Sequence, residues 1–252
     1  MPENRRNRRD GRRIIEQASL NLTSPHRHNN LGVNLMNPQI SLAERYREVA
    51  KRDRRLKVFG ASGHRYKPTK VSIDEIKEFE LVMGCELPEG YRDFLLRVGS
   101  GVGRYYGLWS FDKVREELNS IYEDYRDEYD VRARPCDPFE LEESAFTETR
   151  PQDEKGVFVD APKNPGGFLP ICHQGCEYLN VMVLSGALRG RVFGTSAFAS
   201  TNAQWISAMR PPGIVSPPRK YAQLPKLPKC PTFSQWFLGW TENALRDLNA
   251  GI

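Results

Sequence analysis

Apolar positions along this chain recur at helical spacing in four places and at strand spacing in one. In residues 41–56, Leu42, Tyr46, Val49 and Ala50 share a face, and Ser41 with Glu44 has the spacing of a reciprocal capping box. Glu48 stands one turn before Arg52, which suits an ion pair. This predicts a helix that packs on the main domain or on a partner. Residues 72–98 predict two short helices joined at a Leu-Pro step. Ser72 and Glu75 cap the first, Ile73, Ile76 and Phe79 fall on one face, and Gly84 ends it in a left-handed conformation. Pro88 opens the second, where a missing amide costs nothing, and Tyr91, Phe94, Leu95 and Val98 continue it. Gly99, Gly101 and Gly103 stop it.

Beyond the glycines, Tyr105, Tyr106, Leu108 and Trp109 read as a short buried strand. Residues 110–125 read as a helix, with Val114, Leu118, Ile121, Tyr122 and Tyr125 on one side and charge on the other. The period then changes to two. Residues 168–193 contain three β-prone segments separated by glycine-containing turns, at spacings suited to antiparallel pairing. In the middle segment Leu179, Val181 and Val183 point one way, and Tyr178, Asn180 and Met182 the other. Seven prolines between 211 and 231 exclude helix and central strand and predict a surface loop. Thr232 with Gln235 caps a closing helix whose stripe is Phe233, Trp236, Phe237, Trp240, Ala244, Leu245 and Leu248.

Composition changes this picture little, and charge changes it more. The 252 residues are 39% hydrophobic, enough for a full core, and no run approaches the roughly 20 apolar residues of a membrane helix. Five cysteines spread over the chain suit free thiols, and with no secretory segment at the start they predict a cytoplasmic protein. The net charge of +5 conceals a partition: residues 1–70 carry +11, residues 71–160 carry −12 and the rest +6. Arg5, Arg6, Arg8, Arg9, Arg12 and Arg13 lie in a solvated leader, and residues 25–38 read as a linker. Between Glu116 and Glu154 there are 14 acidic and 4 basic residues, broken by Pro135, Pro138 and Pro151. This is either a solvated excursion or an acidic binding surface.

Candidate chemistry is sparse. None of the nucleotide-binding, nucleophile-elbow or metalloprotease motifs occurs, and the run from Gly99 to Gly103 follows a helix and lacks the lysine of a phosphate cradle. Cys172, His173 and Cys176 supply three soft ligands where structural zinc takes four. Pairing of a Cys172 thiol with His173 is opposed by strand alternation. His26 and His28 lack neighbouring ligands. The expectation is no catalytic residue, no cofactor and no metal site.

The order of a capped helix, a Leu87-Pro88-x-x-Tyr91-x-x-Phe94-Leu95 helix, a glycine-rich turn, a Leu169-Pro170-Ile171 strand, a Gly175-Cys176 turn and strand, a Gly190-x-Val192-Phe193 strand and an aromatic terminal helix resembles the SUKH superfamily. That group includes the fungal Smi/Knr cell-wall-assembly regulators and many bacterial immunity proteins. The resemblance spans about residues 71–248. It implies one α+β domain with helices packed on a central, mostly antiparallel sheet, acting by protein binding without catalysis. The organisation expected is therefore a basic leader and linker over 1–40, an extension with one amphipathic helix over 41–70, and a SUKH-like domain over 71–250. The domain carries an acidic insertion near 116–154 and a proline-rich loop near 210–231.

The first functional reading is an immunity protein that neutralises a cognate toxin by direct binding, with a basic toxin domain as partner. Its candidate surface is Glu116, Glu117, Glu123, Asp124, Asp127 and Glu128, with Tyr105, Tyr106, Trp109 and Tyr122 as aromatic anchors. The alternative is a cell-wall-assembly or housekeeping scaffold of the Smi/Knr type. A third reading, nucleic-acid binding through the arginine-rich leader, ranks last.

Overall fold

A computed structural model describes residues 41–123, 134–146, 166–175, 178–196 and 230–251. The leader over 1–40 and nearly all of the proline-rich loop lie outside these residues. The described chain is α+β: six α-helices and a three-stranded antiparallel sheet.

Helix α1 (Leu42–Arg52) opens on the expected capping box, with Ser41 accepting from the Glu44 amide and Glu44 reaching back to the Ser41 amide. Its Arg52 meets Glu48 at 2.8 Å. Ala43, Tyr46 and Val49 are buried, and the helix packs on the C-terminal helix and on α4. A single turn, α2 (Ala61–His64), follows. Helix α3 (Ile73–Met83) is capped by Ser72 and Glu75 and ends at Gly84, whose φ of 75° is the left-handed value a Cβ would oppose. Helix α4 (Glu89–Arg97) starts from Pro88 as its N-cap and buries Tyr91, Phe94 and Leu95. On the face shared by Ile73, Ile76 and Phe79, the latter two are fully buried and Ile73, the first residue of α3, is exposed.

After α5 (Phe111–Glu123) and a 3-10 turn (Glu143–Phe146) come β1 (Phe168–Gly175), β2 (Tyr178–Val183) and β3 (Val192–Ser196), ordered β1-β2-β3. Pro170 can stand in β1 because that strand is at the edge of the sheet and the register shifts between Pro170 and Cys172. Helix α6 (Phe233–Asn249) carries the third capping box, between Thr232 and Gln235.

The sheet is covered on both faces, and alternation sorts its side chains between two cores. Leu169, Ile171, Met182 and Val192 face the helices, joining Phe79, Phe94, Trp236 and Phe237. Phe168, Leu179, Val181, Val183 and Phe193 face the other way and are sealed by Phe139, Leu141, Leu188 and Cys230. Part of the acidic stretch is thus a packed segment, because Phe139 and Leu141 give it apolar side chains to bury. Asn180, buried within β2, accepts from the Cys172 thiol at 3.4 Å and donates to the Phe193 carbonyl at 3.3 Å, so its polarity is satisfied inside the sheet.

Candidate partner-binding surface

The stretch from Tyr105 to Trp109 is not a strand. Ladder hydrogen bonds are replaced by a tight loop, with Gly101 N–H donating to Leu108 O (2.7 Å) and Leu108 N–H to Val102 O (2.9 Å). Its base is held by reciprocal bonds between Thr69 and Ser100, and Trp109 N–H donates to Ile171 O of β1 at 2.8 Å. Glycine makes the loop possible. A Cβ on Gly60 would fall 1.6 Å from the Tyr105 carbonyl oxygen, and one on Gly107 would fall 2.7 Å from the Gly101 backbone. Tyr105 itself has φ of 55°, unusual for an aromatic residue, and is braced by Arg104, which lies 4.6 Å over its ring and donates to its hydroxyl.

This turn presents Tyr106 outward at 53% exposure, against Phe59 at 59%. The two rings pack edge to face with centroids 5.6 Å apart, Tyr105 meets Phe59 at 6.2 Å and His173 meets Tyr106 at 6.2 Å. The structure therefore brings Tyr105 and Tyr106 together with two residues that the sequence pattern did not single out for this surface, Phe59 and His173. Phe59 sits in a basic, glycine-containing segment without periodicity, between Val58 and Gly60, so no local pattern marks it.

Trp109 does something else. It is half-buried between the two cores, with Lys113 5.9 Å from its ring. Lys113 also meets Glu116 at 3.2 Å and Glu117 at 3.7 Å, so their negative charge is partly offset. Glu116 is 71% exposed and Glu117 less so. Tyr122 and Glu123 belong to the last turn of α5, their side chains outside the described residues, and Asp124, Asp127 and Glu128 also lie outside them.

The soft-ligand cluster resolves into separate environments. Burial pushes the Cys172 thiol up to about 12, which leaves it protonated and poorly nucleophilic. His173 accepts from the Gly175 N–H through Nδ1 at 3.0 Å, and Cys176 lies outside the described residues. Among the described residues no group of three His, Cys, Asp or Glu side chains could hold a metal ion.

Beneath the loop lies a polar cluster. Asp53, buried at the end of α1, accepts from the Lys57 and Val58 amides and from the Tyr66 hydroxyl at 2.8 Å. His64 Nδ1 accepts from the Tyr66 N–H at 3.0 Å, so Nε2 carries the proton and donates to Gly103 O at 3.2 Å. Burial lowers the His64 pKa below its ordinary 6.5, opposed by the Gly103 carbonyl and the Asp53 charge. The unfolded chain therefore binds this proton more readily. The His64 contribution to stability is complete above pH about 6.5 and declines as pH falls toward the lowered folded-state value. Comparison of Tm at pH 7.5 and 5.5 should show a larger acid-side loss in the native chain than in His64→Gln; equal losses would remove His64 from the pH response.

Residues 70–202 match the family model described as SMI1 / KNR4 family (SUKH-1). The match ends before α6, although that helix fills the same core as the matched helices. No curated protein and no solved structure matches the chain. Among the described residues, no helix is long and apolar enough to cross a membrane.

Proposed function

The chain belongs to the SMI1 / KNR4 family (SUKH-1), and from that membership we propose that it is a non-catalytic protein-binding domain that acts as an immunity protein, neutralising a basic toxin domain by direct contact in the cytoplasm. The observation that carries this reading is the exposed aromatic pair formed by Tyr106, on a loop locked by glycine and backbone hydrogen bonds, and Phe59, which packs against it from the segment before α2. A rigid aromatic group loses little conformational freedom on docking, and such groups supply most of the energy of protein interfaces. The acidic residues of α5 and of the stretch after it would accelerate encounter with a cationic partner, whose own active cleft must attract phosphate if it is a nuclease.

Co-purification from the native source identifies the partner, and binding kinetics then test the surface. Charge reversal at Glu123, Asp124, Asp127 and Glu128 should slow association about tenfold at low salt, with the difference closing as salt is raised. Reversal at Glu116 and Glu117 should do less, because Lys113 already offsets them. Association rates that ignore both salt and charge would sink the electrostatic part of the proposal. A captured partner that is acidic or has no toxic activity would sink the immunity role.

A further inference from the structure

Cys85 and Cys136 are far apart in sequence and neighbours in space. Cys85 follows the left-handed Gly84 in the link between α3 and α4, and Cys136 lies in the short segment that leads to Phe139. A Cβ on Gly84 would fall 3.4 Å from the Cys136 Sγ and 3.5 Å from its Cβ, so the Cys136 side chain rests on the peptide leading into Cys85. The two thiols interact electrostatically: the Cys85 pKa is raised by burial and by Cys136, and Arg189 opposes the rise. Both cysteines are free and only half-buried, whereas Cys172 and Cys230 are fully buried in the two separate cores.

We propose that Cys85 and Cys136 form a reversible intramolecular disulfide on exposure to a peroxide. The bond would join parts of the fold that are otherwise held by packing: the α3–α4 link, which borders the helical core, and the segment whose Phe139 seals the outer face of the sheet. With hydrogen peroxide as oxidant, one sulfur, as thiolate, attacks the O–O bond and becomes S–OH, and the released hydroxide leaves as water with that thiol's proton. The second sulfur then attacks the first; the S–S bond forms, the S–O bond breaks, and the oxygen leaves as water with the second thiol's proton. Two thiols are oxidised to one disulfide and one peroxide is reduced to two waters. The ring closed by the bond contains α4, the aromatic turn and α5.

The full chain is treated with hydrogen peroxide, its remaining thiols are alkylated under denaturing conditions, and its peptides are mapped by mass. The expected result is a monomer carrying two alkyl groups fewer than the untreated chain, with a Cys85–Cys136 cross-linked peptide that dithiothreitol reverses and a Tm raised by about 5 °C or more. Cys85→Ala and Cys136→Ala should each remove both the cross-link and the rise in Tm, and urea unfolding under reducing conditions checks that each variant is folded. Full alkylation of both thiols after peroxide, linkage of either to another cysteine or to a second chain, or conversion to sulfinic acid without an S–S bond would overturn the proposal. The peptide map of the unsubstituted chain decides this whether or not the variants fold.

Discussion

Trp236→Ala is expected to lower the unfolding free energy by about 3–5 kcal/mol, the loss typical of emptying a large aromatic site that the surroundings cannot refill. Trp236 is 0% exposed. Phe233 and Phe237 flank it on its own helix, with ring centroids at 5.8 and 6.4 Å, and Arg104 lies 5.5 Å over its ring. The neighbouring rings are fixed by their own packing, Phe94 against Phe237 at 4.4 Å among them, so the cavity should remain largely open. For a body of this size the corresponding fall in Tm is about 10 °C. Urea unfolding at constant pH measures the effect, and an unchanged m-value shows that the midpoint shift is one of stability. Leu81→Ala is the comparison: Leu81 is 83% exposed and its truncation should change stability by less than about 0.5 kcal/mol. A loss for Trp236→Ala no larger than that for Leu81→Ala would mean that α6 does not carry the core.

Truncation of Tyr106 and Phe59 together should weaken partner binding by about 30-fold or more while leaving Tm almost unchanged. The two rings contact each other and stand largely outside the core, so their removal leaves no internal cavity. In the complex they would act as central anchors, for which loss of about 2 kcal/mol or more on truncation to alanine is usual. The change should fall mainly on the dissociation rate, which separates it from the charge reversals that act on association. An unaltered dissociation rate in the double variant would move the contact surface elsewhere. Tyr105 is a poorer choice for this test, because Arg104 and the strained backbone tie it to the fold.

Helix positions were legible wherever a local device marked them. Ser41 with Glu44, Ser72 with Glu75 and Thr232 with Gln235 each close the capping box that their spacing anticipates, because all the partners lie within one turn. The three strands were legible for a similar reason, since period-two patterning and glycine turns are short-range signals. The aromatic segment reads as a strand in the sequence because Tyr105, Tyr106 and Trp109 have strand-forming side chains. What overrides that preference is the approach of Gly60, remote in sequence, and the pairing of Gly101 with Leu108, which turn the backbone back on itself. Ile73 shares a face with Ile76 and Phe79 yet is 38% exposed, because helical periodicity identifies a face but not how far along the helix its cover extends.

The candidate surface divides along the same line. Tyr105, Tyr106 and the acidic residues could be named from type and charge alone. That Phe59 and His173 stand beside Tyr106, that Trp109 is held between two cores and that Lys113 blunts Glu116 and Glu117 depend on contacts between separate elements. By itself, the amino-acid order determined the α+β class, the capped helices, the antiparallel strands and the family resemblance, because those signals are carried by residues a few positions apart. Only the tertiary structure decided that both faces of the sheet are buried, which aromatic groups reach solvent and that Cys136 lies against Gly84, beside Cys85. Those outcomes follow from how distant segments share a limited volume, and no local pattern records that.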